Sequence, residues 1–312
     1  LDGNGDLLAG TDNGLYVYHN DTTPLQHIIH DSRNIQSLTN NIIWNIFADQ
    51  EHNIWLGTDY GISLSRYNSA LQFIPISQIT GTGDGNQFYS LFRDSKGFYW
   101  FGGANGLIRF TDPAGERHDA IWYRMGDKTY PLSHNRIRHI YEDKEQQLWI
   151  ATDGSINRYD YATRQFIHYN IVDNTGTYNT NWTYYIFEDT AGQLWISTCL
   201  GGIFVVDKHK LMQSTSGQYI AEQNYSVHNG LSGMFINQII PDNEGNVWVL
   251  LYNNKGIDKI NPRTREVTKL FADELTGEKS PNYLLCDEDG MLWVGFHGGV
   301  MRINPKDESQ QS

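Results

Sequence analysis

The sequence predicts an all-β protein, a seven-bladed β-propeller of four-stranded antiparallel blades that is incomplete at its seam. Three observations predict it. A tryptophan-centred unit recurs at Trp55, Trp100, Trp149, Trp195, Trp248 and Trp293, and a seventh copy carries Leu8 in the tryptophan's place. Successive anchors lie 47, 45, 49, 46, 53 and 45 residues apart, a period expected of strand-built propeller blades. An aspartate stands six residues before every anchor, at Asp2, Asp49, Asp94, Asp143, Asp189, Asp242 and Asp287.

Each repeat supplies four strand candidates. The unit is clearest from Asp189 onward. An Asp-Thr-Ala-Gly turn ends in Gly192, suited to positive φ, and is followed by Leu194-Trp195-Ile196, a Gly-Gly break and the apolar run 203–206. Two short apolar runs around a glycine break read as antiparallel strands, not as one helix. The run before each aspartate is the innermost strand: residues 43–47, 88–92, 137–141, 184–187 and 236–240. The tryptophan strand is second and the strand after the break third. Residues 71–73, 166–169, 219–220 and 267–271 supply the fourth. No amphipathic helix and no long apolar segment is predicted.

Residues 1–312 are read as a single propeller domain. The first repeat lacks an innermost strand. The last repeat ends after its third strand, since Pro305 and the polar run that follows it do not suit a buried strand. The seam is therefore expected to be short of two strands, supplied by a longer parent of which this chain is a fragment. Glycine-rich, aromatic-rich composition suits short strands and tight turns, and a net charge of −13 argues against nucleic acid or an anionic membrane as partner. Cys199 and Cys286 fall two blades apart, so no disulfide is predicted.

The pattern Asp-x-x-Gly-x-Leu-Trp-Ile-x-Thr, preceded by Asn-x-Ile-x-x-Ile, is clearest across residues 135–156 and 181–203. It resembles the two-component regulator propeller repeat, and the resemblance runs over essentially the whole chain. It implies the sensor ectodomain of a hybrid two-component system, periplasmic and attached to an inner-membrane histidine kinase. A poly- or oligosaccharide fragment, or another small ligand, is the implied signal. Implied partners are the rest of the parent ectodomain, namely a second propeller and an immunoglobulin-like domain, and a homodimer. This fragment itself is read as neither an enzyme nor a membrane contact.

The opening Asp-Gly-Asn-Gly-Asp lacks the glycine and the glutamate of a calcium loop, with Leu7 and Asn13 in those places. The glycine-rich run 81–86 is not followed by a helix, so it is no phosphate cradle. No zinc motif is present, and neither metal nor cofactor is predicted. The repeated aspartates read as turn-formers, because a residue kept in every copy does scaffold work. Residues 246–264 resemble a blade of streptogramin B lyase, but that family's catalytic His and Glu have no counterparts here. A lyase and a protein-interaction scaffold remain the alternatives.

Function is expected where repeats differ, on the loops that enter the innermost strands and join second to third strands. Asn41, Asn86, Asn135 and Asn181 recur in register and read as structural. Their non-repeating neighbours are the candidate ligand-binding residues: Trp44, Tyr89, Arg136, Arg138, Trp182, Tyr184, Phe235 and Asn237. The other loop adds Tyr60, Asn105, Tyr252, Lys255 and His297. Aromatic faces stack on sugar rings, and Arg or Asn forks read hydroxyl or carboxylate pairs.

Overall fold

A computed structural model describes residues 6–18, 24–67, 71–74, 87–111, 119–215, 217–252, 256–275, 277–296 and 299–311. The fold is a seven-bladed β-propeller. Blade 1 is a three-stranded sheet of Leu7–Thr11, Gly14–Tyr18 and Pro24–Ile28. The other six are four-stranded, and each runs in sequence order from first strand to fourth. Their first strands are Ile43–Ala48, Phe88–Arg93, Ile137–Glu142, Thr183–Glu188, Ile236–Pro241 and Pro281–Cys286.

The repeated aspartate has a double task. In blades 2 to 7 its Oδ2 accepts the anchor's indole Nε1–H, at 2.8 Å for Trp55, 2.7 Å for Trp100, 2.9 Å for Trp149, Trp195 and Trp248, and 2.7 Å for Trp293. Its Oδ1 accepts the backbone N–H four residues on, at 2.8–2.9 Å in every one of these blades. One carboxylate thus closes the hairpin turn and fixes the anchor. The turn forces positive φ three residues after the aspartate. Glycine occupies that place at Gly97, Gly192, Gly245 and Gly290, but His52 and Gln146 hold it at φ 61°.

Five anchors, Trp55, Trp100, Trp149, Trp195 and Trp248, are fully buried. Trp55, Trp100 and Trp248 pack between successive sheets. Trp55 of blade 2 meets Tyr99 at 5.3 Å and Phe101 at 5.7 Å on blade 3. Trp100 meets Tyr159 of the next blade edge-on at 4.9 Å. The chain forms two compact units, residues 1–150 with 159–166, and residues 151–158 with 167–312. In the first unit, cores join blades 1 to 2, 2 to 3, and 3 to the start of blade 4. In the second unit a core joins blades 6 and 7.

Three expectations need correction. The last blade does have a fourth strand: Gln310–Gln311 pairs with the third strand through Arg302↔Gln311 and Ile303↔Gln310. Edge pairing uses backbone groups, so the polar tail is no obstacle. Among the described residues the strand deficit is therefore one, in blade 1. Second, Tyr219–Ile220 is not blade 5's fourth strand. It pairs in parallel with Ile171–Val172 in an accessory two-stranded sheet, and Gln223–Tyr225 takes the edge position. Tyr225 is buried and stacks on Trp195 at 5.6 Å, whereas Ile220 is exposed. Third, a short helix, Lys208–Gln213, follows blade 5's third strand, with the Asp207 side chain capping its N-terminus by accepting from Lys210 N–H. Six residues are too few to show helical periodicity in sequence. The calcium-like opening and the run 81–86 lie outside the described residues, apart from Asp6.

Candidate functional site

In blades 2, 3, 5 and 6 the two loops at the end opposite the aspartate turn are stapled by one recurring backbone bond. The residue four or so after the anchor donates its N–H to the carbonyl of the residue just before the first strand. This bond joins Asp59 to Ile42 at 3.0 Å, Ala104 to Gln87 at 3.2 Å, Cys199 to Trp182 at 2.9 Å and Tyr252 to Phe235 at 2.9 Å. Beneath the approach to the first strand, Leu38, Leu132, Leu231 and Leu275 are buried plugs. The repeated asparagine supports this framework. Asn41 Oδ1 accepts from His30 N–H at 2.6 Å and Asn135 Oδ1 from Met125 N–H at 2.7 Å. Asn86 lies outside the described residues, and Asn181 instead lines a cleft described below.

In the first unit the structure brings Trp44, Tyr89 and Arg138 together. Trp44 is 47% exposed, and its indole N–H donates to Asp59 Oδ1 at 3.1 Å. The same oxygen accepts from Gln87 Nε2 at 2.9 Å, and Tyr89 OH donates to Gln87 Oε1 at 2.9 Å. The Trp44 and Tyr89 rings meet edge-to-face at 5.4 Å, and the Arg138 guanidinium lies 5.9 Å from the Tyr89 centroid. Asp59 and Gln87 thus use up the polar ends of both rings, so the Trp44 indole offers its face. Arg136 and Tyr60 are exposed. Asn105 is exposed, and its backbone carbonyl accepts from Arg124 Nε at 3.0 Å.

In the second unit Trp182 has the most constrained setting. Its φ is 55°, a left-handed backbone that a bulky residue rarely adopts. Two hydrogen bonds hold it there: Trp182 N–H donates to Asp153 O at 2.9 Å, and Trp182 O accepts from Cys199 N–H at 2.9 Å. Such strain costs about 1–3 kcal/mol and persists only where the surroundings enforce it. The indole, 48% exposed, lines a cleft of about 330 Å³ with Tyr178, Asn179, Asn181 and Leu200. Tyr184, Phe235, Asn237 and Tyr252 do not reach this cleft. Asn237 Nδ2 instead donates to Asn282 O at 3.4 Å, and Phe235 and Tyr252 are exposed. Lys255 and His297 lie outside the described residues.

Sequence reasoning missed Tyr178, Asn179 and Leu200. Leu200 sits in the register of Tyr60 and Asn105, five residues after its anchor, so position could have flagged it although its chemistry did not. Among the described residues, no group of His, Cys, Asp and Glu could hold a metal ion, and no helix is long and apolar enough to cross a membrane.

Residues 37–60, 82–105 and 131–154 match the model of the two component regulator propeller family. Two crystal structures of one extracellular domain from B. thetaiotaomicron match at 99% and 98% identity, each with a TM-score of 0.75. That domain is assigned in one case to a one component system and in the other to a hybrid two component system. Both matches cover 100% of this chain, which spans 42% of theirs. A second B. thetaiotaomicron extracellular domain, also assigned to a hybrid two component system, is 18% identical with a TM-score of 0.60, covering 98% of this chain and 44% of its own. Virginiamycin B lyase from Staphylococcus aureus is 15% identical with a TM-score of 0.62, covering 86% of this chain and 83% of its own, a likeness of fold alone. No curated protein matches the chain.

Proposed function

We propose, for a chain built from two component regulator propeller repeats, that it is the ligand-sensing propeller of a hybrid two-component signalling protein. It lies in the periplasm and detects an oligosaccharide fragment without turning it over. The parent's kinase, its further ectodomain parts and a dimer are part of this proposal, as is the reading of residues 1–312 as one domain.

Trp182 carries the reading. Its strained, doubly tethered backbone holds half of an indole over a cleft lined by two asparagines and a tyrosine, which is how a protein presents a flat apolar platform beside hydroxyl-reading groups. Trp44, with its N–H already engaged, offers a second platform in the other unit. Stacking on one ring with several exposed hydrogen bonds suits micromolar affinity, about −8 kcal/mol. Calorimetric titration of the full ectodomain with oligosaccharides of plant and animal origin tests it. Trp182→Ala is expected to weaken the best ligand at least tenfold, and an unchanged affinity, or cleavage of the bound sugar over time, contradicts the reading.

A further inference from the structure

A larger cleft, about 550 Å³, adjoins the Trp182 cleft, and the two share Thr177 and Tyr178 as a common wall. Each alone is within the range of a small-ligand site, roughly 300–1,000 Å³. The shared wall is tied by hydrogen bonds. Asp173 N–H donates to Tyr178 O at 3.0 Å, Tyr178 N–H returns to Asp173 Oδ1 at 2.8 Å, and Thr175 OH donates to Asp173 Oδ2. Burial pushes the Asp173 carboxyl up, but these bonds from Thr175 and Tyr178 outweigh it and hold it below the usual carboxylate range. The facing wall is a short turn at Val227–Asn229, capped by Ser226 and closed by Asn229 Oδ1 accepting from Ser226 N–H at 2.5 Å. Tyr178 OH and His228 Nε2 face each other at 3.5 Å.

Of the charged side chains in the lining, the two carboxylates are already engaged. Asp173 is satisfied as described. Glu222 accepts from Asp207 N–H at 2.9 Å and Tyr219 OH at 2.7 Å, and Lys210 lies 3.6 Å from it. Asn174, Thr177, His228 and the exposed Arg265 complete the lining as a mixed set of donors and acceptors. That mixture suits a polyhydroxylated chain better than an apolar body.

We propose that the two clefts form one tract. Trp182 stacks one sugar, and the larger cleft hydrogen-bonds the hydroxyls of the sugars linked to it, so the ligand is an oligosaccharide and not a monosaccharide. This rests on the carbohydrate reading above. The test is titration of the full ectodomain with size ladders, one to six sugars long, of xylan, mannan, galactan, arabinan, homogalacturonan and chondroitin. Affinity for the preferred ladder is expected to rise about tenfold or more with length. The double variant Asn174→Ala, Arg265→Ala, at exposed positions, should abolish that rise and leave the shortest binder unchanged. Trp182→Ala should weaken every length, and melting temperatures check folding. A length-independent affinity, or a rise that survives the double variant, overturns the tract while leaving Trp182 in place. Indifference of all lengths to Trp182→Ala, or no binding across every ladder, overturns the carbohydrate reading and the tract with it.

Discussion

The two ends of each blade are built by the same strands and treated in opposite ways. At the turn between first and second strands, blades 2 to 7 repeat one arrangement, with carboxylate, indole and backbone N–H in the same contacts. At the other end the framework repeats but the side chains do not. The same register holds Trp44, Tyr89, Arg138, Tyr184 and Asn237 in successive blades. A contact repeated in every copy serves what every copy needs, which is packing. The freedom to vary is left where the backbone is already stapled and a side chain can change without disturbing the core.

That contrast is broken most directly at the anchors. Trp149→Ala and Trp195→Ala are each expected to destabilise by about 3–5 kcal/mol in urea unfolding, because each removes a large, fully buried side chain. A loss under about 1 kcal/mol would mean that the anchor is not a packing centre. Asp143→Ala comes next, at about 2–3 kcal/mol, since it leaves the buried Trp149 indole and the Gln147 N–H without their acceptor.

The same clamp predicts a pH effect. Burial pushes the Asp49 carboxyl up, but bonds from Trp55, Asn53 and Tyr99 outweigh it and hold the group below the usual carboxylate range. Its contribution is therefore present above the unfolded value, about pH 4, and is lost as pH falls through the lower folded value. Asp49→Asn should flatten that acid limb of the stability profile, and an unaltered acid limb would count against the clamp. A smaller change sharpens the turn argument. Gln146→Gly should stabilise by about 0.5–1 kcal/mol, since only glycine adopts φ 61° without cost.

Much of this was legible in sequence because the clamp is local. Six residues separate the aspartate from its tryptophan, so spacing alone exposes the unit. Spacing does not reveal its chemical reason, indole N–H to carboxylate, because a turn-forming aspartate would show the same pattern. Non-local pairing was harder. Tyr219–Ile220 looks more like a strand than Gln223–Tyr225, but register with Ile203–Asp207 decides which lies at the edge. The last blade's fourth strand had a usable signal. Asn304-Pro305 repeats Asn261-Pro262, and both turns close in the same way, Glu308 N–H to Asn304 O at 2.8 Å and Arg265 N–H to Asn261 O at 2.8 Å. The candidate site was legible as positions and not as a constellation. The register marks Trp182, but its partners Tyr178 and Leu200 come from loops whose approach only the folded backbone decides.

The division of labour between the two ends is tested most directly by one paired measurement on Trp182→Ala in the full ectodomain: oligosaccharide affinity by calorimetry and unfolding free energy in urea. The expected result is an affinity loss of at least tenfold with stability unchanged within about 0.5 kcal/mol. Unchanged affinity, or an affinity loss that comes with a stability loss like that of Trp195→Ala, would contradict it.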